Sequence, residues 1–462
     1  MNQSENHSLG SRETRRSFIK KAATVAATVA SANLLKTPVY GQNQAPSTGR
    51  VIGANDRISI AYIGTGARSM THMRGGDSKD PKEHGDYVKA NNVAQAAVCD
   101  VFRKRLDGAK EFLNLSEADA YTDHQRLLER KDIDAVVIAS IDNWHAQHTI
   151  DALAAGKHVF CEKPMTRYLD EAFQVYDTVK RTGKVYCIGS QGCADPKWHQ
   201  AAKWIKEGKL GPLVWGQGSF CRNNYPKSEW TYPIDKDATP TTLEWERWLG
   251  KAKKIPFNPE HYFSWHKFYA YNSGIIGNLL PHRFYPMMLA TGNPEYPRRV
   301  ACTGTRKVST DREITDTTHI LAEFPSGLTL LVVGSTVNEV GLPDILRGLK
   351  ATLNFASSQN KVELTPQKPF TEELEAETFH DPLPAERTER LHKSWFDAIR
   401  TGTKPFADIE LAIRGQVALC LAEMAERMSL TLLYDEKTRT VKTGDGKVIK
   451  PISYDNNLPG SS

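Results

Sequence analysis

Two stretches of this chain carry residues that could do chemistry together. The first is "AYIGTGARS", Ala61 to Ser69, in which Gly64 and Gly66 flank Thr65 behind a run of β-formers. In a G-x-G-x-x-G turn the first glycine permits the tight turn and the second lets backbone approach a pyrophosphate. The third lets the helix pack close to the sheet. Ser69 stands in that third place, and an ordinary strand–turn–helix would read the same way. A second strand-like run ends in Asp100, where a carboxylate can accept hydrogen bonds from the ribose hydroxyls of an adenosine. Such a residue favours NAD over NADP, because a 2′-phosphate would face like charge; Arg103 or Arg105 could soften that preference. The other stretch is "CEKP", Cys161 to Pro164. A lysine beside a carboxylate at a strand end can be held near a substrate hydroxyl and move its proton. A surface pair of Lys163 with Glu162 before a turn-forming proline is the plainer alternative.

These residues need a scaffold, and the chain supplies a regular one. "RISIAYIG", "VAQAAVCD", "DIDAVVIAS", "KHVFCEKP" and "KVYCIGSQG" are apolar runs of strand length. Helical stretches lie between them: "RKRLDGAKEFL", "DHQRLLERK", "WHAQHTIDALAAG" and "YLDEAFQVYDTVKRTG". Repeated strand–helix units with near-continuous apolar strands predict a parallel sheet covered on both faces. Residues 71–92, rich in Gly, Asp, Lys and His, read as a polar insertion that lengthens the spacing from Gly66 to Asp100. After about Ser190 aromatics become dense, and runs such as "LVWGQGSF", "THILAEF" and "LTLLVVGSTV" predict a second domain on a largely antiparallel sheet. "TERLHKSWFDAIRTG" and "IELAIRGQVALCLAEMAERM" read as late amphipathic helices. There is no internal repeat or low-complexity tract.

Composition sets outer limits. The 462 residues are 40% hydrophobic and 25% charged, with a net charge of +6, an ordinary globular balance without a nucleic-acid signature. The seven cysteines are scattered without a C-x-x-C spacing, which argues against a disulfide framework or a cysteine metal site and for buried small hydrophobes. The N-terminus reads "TRRSFIK" and then "KAATVAATVASA", with Ala30-Ser31-Ala32 as a cleavage candidate. This is the pattern of a twin-arginine export signal over residues 1–32. The apolar run is too short and too rich in Ala and Thr for a stable membrane span. Residues 33–55 read as a flexible lead-in, and 441–462 as a C-terminal tail.

Together, "YIGTGARS", "VCDVFRKR", "DIDAVVIASIDNWHAQHTIDALAAGKHVFCEKPMT" and "YCIGSQ" resemble the glucose–fructose oxidoreductase / inositol dehydrogenase / rhizopine-catabolism (Gfo/Idh/MocA) family. The resemblance is strong from Arg57 to Gln191 and looser beyond. It implies an α/β chain with an N-terminal Rossmann domain at 56–188. An α+β domain at 189–440 should follow, with an open-faced, mostly antiparallel sheet. It also implies a sugar or cyclitol substrate and a tightly held NAD, with NADP possible. Gly64, Thr65, Gly66, Ala67 and Arg68 would form the cofactor loop, with Asp100 and Arg103 at the adenosine. Ser140, Asn143, Trp144 and His145 match the family's loop beside the cofactor, Glu162 a cofactor-contacting carboxylate, and Lys163 the catalytic lysine; Gln191 falls at the domain junction.

One element departs from the family pattern. Many relatives read G-D-x-G-x-H, whereas this chain reads "GNLLPH", with Asn278 in place of Asp and His282 retained. Asn278 could then only orient substrate, leaving His282 to accept the hydroxyl proton while Lys163 stabilises the oxygen. Its alternative is a packed helix histidine. Arg222, Asn224, Trp265, Tyr269 and Tyr271 are the candidate sugar contacts; most of Trp230, Trp245 and Trp248 are expected in the core. Some relatives are NAD-dependent glycosidases that oxidise, eliminate, hydrate and reduce again, and "GNLLPH" resembles their G-N-x-x-P stretch. A non-catalytic sugar-binding protein is the third reading. Family analogy further implies a homo-oligomer through the open sheet, and the leader implies the twin-arginine machinery as an export partner and a periplasmic or otherwise exported location.

Overall fold

A computed structural model describes residues 56–456 apart from 77, 79 and 357. The twin-arginine signal and the lead-in therefore lie outside the described residues, as do residues 457–462.

The apolar runs of the first half become six parallel strands: β1 (Ile58–Ile63), β2 (Val93–Cys99), β3 (Ala120–Tyr121), β4 (Ala135–Ile138), β5 (His158–Glu162) and β6 (Tyr186–Gly189). They pair in the order β3-β2-β1-β4-β5-β6. β4 and β6 are buried along their whole length, as strands covered on both faces must be. The order reverses between β1 and β4, and a sheet of this kind binds ligands at that switch point, beyond the carboxyl ends of its strands. Helices α1 (Ala67–Arg74), α2 (Pro81–Asn91), α3 (Arg103–Phe112), α4 (Asp142–Ala154) and α5 (Leu169–Thr182) connect the strands.

The stretch read as a polar insertion is itself partly helical. Asp80 caps α2 by accepting from the Lys82 amide, Pro81 sits in its first turn, and Asn92 closes it in the left-handed region. Tyr87 points inward from α2, so its sparse apolar content is spent on one buried contact.

The second half supplies a twelve-stranded sheet. Its main path, β15-β14-β13-β12-β7-β10-β9-β8-β16-β17-β18, has β11 paired on β7. The strands are β7 (Leu213–Asn223), β8 (Arg299–Thr305), β9 (Thr317–Glu323), β10 (Thr329–Ser335), β11 (Val337–Asn338), β12 (Asp344–Gly348), β13 (Ala351–Phe355), β14 (Gln359–Pro366), β15 (Glu377–Pro384), β16 (Leu432–Asp435), β17 (Thr440–Thr443) and β18 (Val448–Ile449). All pairings are antiparallel except β7 with β10. The α/β class and the mostly antiparallel second sheet stand as the sequence indicated. The stretch expected as a tail, 441–462, is structured in its described part, up to 456: β17 and β18 extend the sheet, and the Tyr454 hydroxyl donates to Asn143 O at 2.9 Å.

Two late helices cross the linear division at residue 188. Helix α8 (Thr388–Thr401) lies against β6 and α2 and sets Trp395 on Phe160 of β5, ring centroids 5.6 Å apart. Helix α9 (Ile409–Met428) packs on α5 and β8 and is buried on nearly every side, rather than amphipathic. Its polar residues survive burial by pairing: Glu423 accepts from both Arg167 (2.6 and 2.7 Å) and Arg427 (3.0 Å). All seven cysteines are unpaired, six of them buried.

Candidate active site

At the switch point β1 runs straight into the glycine turn. Gly64 has φ +82°, and a Cβ on it would lie 2.6 Å from the Ser140 amide nitrogen at the end of β4. The turn therefore needs glycine for both conformation and closeness. Gly64→Ala should lose about 1–3 kcal/mol of stability, the usual scale of backbone strain, read by denaturant unfolding beside alanine-tolerant Gly108, whose Cβ would meet open space. Gly66 precedes α1 without any side chain capping that helix. A Cβ there would meet only the Arg105 guanidinium at 3.5 Å. An uncapped helix N-terminus facing an arginine across an open glycine is a cradle for a pyrophosphate. These residues fit a dinucleotide on geometry alone.

The turn opens into a cavity of about 700 Å³ that runs between the two sheets. Of the residues expected at the cofactor, Gly64, Gly66, Ala67, Arg68, Asp100, Ser140, Trp144, His145, Glu162, Lys163 and Gln191 line it. Three do not. Thr65 is buried behind the loop, its amide and hydroxyl donating to Asp100 Oδ2 at 2.7 and 3.1 Å. Arg103 is on the surface, paired with Asp107 and Glu117; Arg105, two residues on, turns to the cavity instead and stacks over Tyr262 at 4.8 Å. Asn143 donates to Leu249 O at 3.3 Å and fastens α4 to the second domain. Asp100 itself is largely committed, since its other oxygen accepts the Phe102 amide at 2.8 Å. It shapes the loop as much as it offers itself to a ribose.

Lys163 enters the cavity from the end of β5. Its Nζ donates to Asn278 O at 2.8 Å. Asn278 ends helix α6 (Ile275–Asn278) and its side-chain amide is turned back onto Asn272 and Gly274. It therefore acts on the lysine through its carbonyl, not on substrate through its amide as expected. Burial pulls the Lys163 ammonium below its ordinary range, against the opposing pull of Glu162 and Asp142. His145 braces the same segment, with ring nitrogens 2.7 Å from Pro164 O and 3.1 Å from Ser140 O.

Glu162 is a hub. Its Oε1 accepts from Arg68 Nε at 2.6 Å and from His72 Nε2 at 2.8 Å. The chain continues, His72 Nδ1 to His392 Nε2 at 3.0 Å and His392 Nδ1 to the Tyr87 hydroxyl at 2.8 Å. Because a carboxylate only accepts, neutral imidazoles satisfy every position in one direction: Tyr87 donates to His392, His392 to His72, His72 to Glu162. Burial favours the protonated acid, but Arg68, His72 and Lys163 outweigh it and hold Glu162 well below the usual carboxylate range. Arg68 in turn reaches Gln191 at 3.4 Å.

The other wall belongs to the second domain. His282, in helix α7 (Pro281–Ala290), packs its ring on Phe220 at 5.1 Å, with Nδ1 3.4 Å from Glu386 Oε2. Burial pushes the imidazole towards its neutral form, the state that can take a proton. Of the expected sugar contacts, Arg222 and Trp265 line the cavity. Asn224 does not; its side chain is tied to Glu229. Tyr269 and Tyr271 are also withdrawn. Tyr269 is buried under the Arg427 guanidinium at 4.1 Å, and Tyr271 lies in a small aromatic core with its hydroxyl 2.9 Å from His261 Nδ1. In their place stand Trp230 and His266: Trp230, Trp265 and His266 form a stack with His266 in the middle. Trp230 and Trp248, expected in the core, are buried and line the cavity as well. Sequence reading also passed over Asp142, buried on the cavity wall, and Glu386. Asp142 sits inside the quoted "SIDNWH", two residues after Ser140; Glu386 had no local signal.

This geometry defines a dinucleotide-binding Rossmann domain joined to a sheet domain that closes one side of its crevice. Residues 58–190 match the profile of the "Oxidoreductase family, NAD-binding Rossmann fold", Gfo/Idh/MocA. A "Glycosyl hydrolase family 109 protein" of Shewanella baltica is 27% identical over 220 residues, 45% of each chain; the match thus spans less than half the length of that curated relative. Among solved structures, an oxidoreductase domain protein from Kribbella flavida superposes with a TM-score of 0.64 at 17% identity, covering 82% of this chain and 100% of that one. A levoglucosan dehydrogenase in complex with NADH and levoglucosan gives 0.61 at 16% identity, covering 81% and 97%.

Proposed function

We propose that this protein transfers a hydride between a sugar or cyclitol hydroxyl and a tightly held NAD. The observation that carries the reading is the placing of Lys163: its Nζ is fixed by Asn278 O at 2.8 Å in a cavity with the glycine turn at one end and an aromatic wall at the other. Bound NAD supplies the hydride acceptor. Arg68, Arg105 and the uncapped start of α1 hold its phosphates. Lys163 donates a hydrogen bond to the substrate oxygen and stabilises charge that develops there. His282, oriented by Glu386, accepts the hydroxyl proton. Trp265 and Trp230 offer flat faces to sugar C–H groups, and Arg222 offers donors to hydroxyls. The test is native mass spectrometry of the purified protein for bound nucleotide, followed by a sugar panel watched at 340 nm. A protein that neither carries nor binds NAD(H) ends this reading.

A second reading is favoured by the glycosyl hydrolase family 109 relative: transient oxidation by the same NAD, then elimination of an aglycone. Release of p-nitrophenol from nitrophenyl glycosides without net NADH formation selects it over simple dehydrogenation.

We also propose export through the twin-arginine route, supported by the "TRRSFIK" leader and tested by fractionation of cells carrying Arg15→Lys/Arg16→Lys. A homo-oligomer through the open sheet is supported by exposed Trp215 and Leu321 on one face of β7 and β9, and light scattering in solution tests it.

A further inference from the structure

The wall that the second domain gives to the cavity has donors and no acids. Among the described residues, the carboxylates that line the cavity are Asp100, Asp142 and Glu162, all from the first domain. The second domain brings Arg222, Arg247, His266 and His282 to it, and no Asp or Glu. The three acids opposite are engaged or uncharged. Thr65 and Phe102 donate to Asp100, and Arg68 and His72 to Glu162. Burial pushes the Asp142 carboxyl up to about 8, so it is mainly uncharged at neutral pH.

Two polar groups on the second-domain wall are left incomplete. His266 is held between Trp265, with ring centroids 3.7 Å apart and planes 23° from parallel, and Trp230, at 5.6 Å and 6°. The stack fixes the plane of the imidazole, yet its Nδ1 is buried with no hydrogen-bond partner. Arg222 stands two residues after Phe220 on β7, so both side chains share one face of the strand, and both line the cavity. Its Nη2 donates to Glu229 at 2.6 Å, but its Nε is buried and unpartnered. Buried polar atoms without partners are costly, and two of them on one wall of one cavity mark a place where a ligand completes the bonding.

Resting on the reading above, we propose that the sugar substrate is an acid, a uronic acid or similar sugar carboxylate, whose carboxylate lies on this wall and accepts hydrogen bonds from Arg222 and His266. A carboxylate is flat and acceptor-only, with an oxygen for each donor, and hydrogen bonds of a guanidinium to it are the strong, charge-assisted kind. The neutral imidazole meets it by carrying its proton on Nδ1. The field on this wall favours an anion over a neutral hydroxyl. Burial weighs most in holding His266 well below the ordinary histidine range, and the charges that add to it, Lys163, Arg222 and Arg312, are all positive. A bound carboxylate relieves that field, and a hydroxyl leaves it in place. Held there, the acid keeps a carbinol carbon free to face Lys163 and His282 across the same cavity.

The test sets each acid against its neutral parent: D-glucuronate with D-glucose, D-galacturonate with D-galactose, and D-mannuronate with D-mannose. Calorimetric titration into the NADH-loaded protein at neutral pH should show at least one acid binding tenfold or more tighter than its parent. Arg222→Met and His266→Phe, the second of which keeps the aromatic stack, should each weaken that acid about tenfold or more while leaving its parent and NADH within twofold. A general loss of structure would not split acid from parent in this way. Should one variant not fold, the other carries the comparison. Parents bound as tightly as their acids, no acid bound at all, or D-glucose 6-phosphate bound in preference to every acid overturns the proposal. NADH bound with no acid preferred rejects the carboxylate alone, whereas an acid bound by a protein that takes no NADH rejects the cofactor reading alone.

Discussion

Lys163→Ala should lower single-turnover hydride transfer by about 10³-fold while leaving NADH affinity within a few-fold. Proton transfer or hydrogen bonding by a positioned side chain is worth roughly 10²–10⁴ in rate, and preorganised donors add most where water is excluded. Nothing else in the cavity can stand in at that point. Arg68 is bonded to Glu162 at 2.6 Å and Arg222 to Glu229 at 2.6 Å. Lys163→Arg should not rescue the rate, since a planar guanidinium cannot keep the single bond to Asn278 O and still present a compact donor. Stopped-flow absorbance at 340 nm on nucleotide-loaded protein, using whichever sugar the panel selects, reads the chemical step apart from release. A loss below tenfold would remove the lysine from the reaction.

Glu162→Ala is expected to be the most damaging change to the scaffold of the site. It strands the Arg68 guanidinium, the His72 N–H and the Lys163 amide at once. Removing one partner of a buried ion pair costs about 3–5 kcal/mol, so denaturant unfolding should show a shift of that size. Arg68 should also swing free of the glycine turn and weaken NADH binding by tenfold or more. The pH dependence has a definite sign. Folding depresses the Glu162 carboxyl, so its stabilisation is fully present above the unfolded value of about 4.3 and fades as pH falls below it towards the folded value. The native protein should therefore lose thermal stability below about pH 4, and Glu162→Gln should flatten part of that limb. A native-like melting temperature in Glu162→Ala would contradict the hub.

What could be read in the sequence was what repeats or sits close together. The strands of the first sheet were legible because β4 and β6 are buried throughout and their residues are uniformly apolar. The glycine turn and Lys163 were legible because each follows a strand directly. Arg103 and Arg105 illustrate the limit: they are neighbours in the chain, but helical geometry sends them to different sides, and only Arg105 finds aromatic rings to rest on. Tyr269 and Tyr271 look like sugar contacts by type, yet an aromatic ring lowers free energy equally well in a core, and there each is surrounded. Glu386 and His392 could not be found at all. Their meaning depends on partners at His282 and His72, separations over which spacing carries no information. Asp142 was hidden for the opposite reason, placed among residues whose family roles drew the reading past it.

The histidine thread from Tyr87 to Glu162 has a further consequence. His392 and Trp395 are contributed by α8, which follows β15 of the second sheet, yet they complete the support for the first crevice. A nascent chain emerging from the ribosome with only the leading half exposed has the glycine turn but not the imidazole that bonds His72 behind Glu162. Nucleotide capture thus depends on α8 as well as on the glycine turn, and the crevice is fully braced only once that helix has been made and docked.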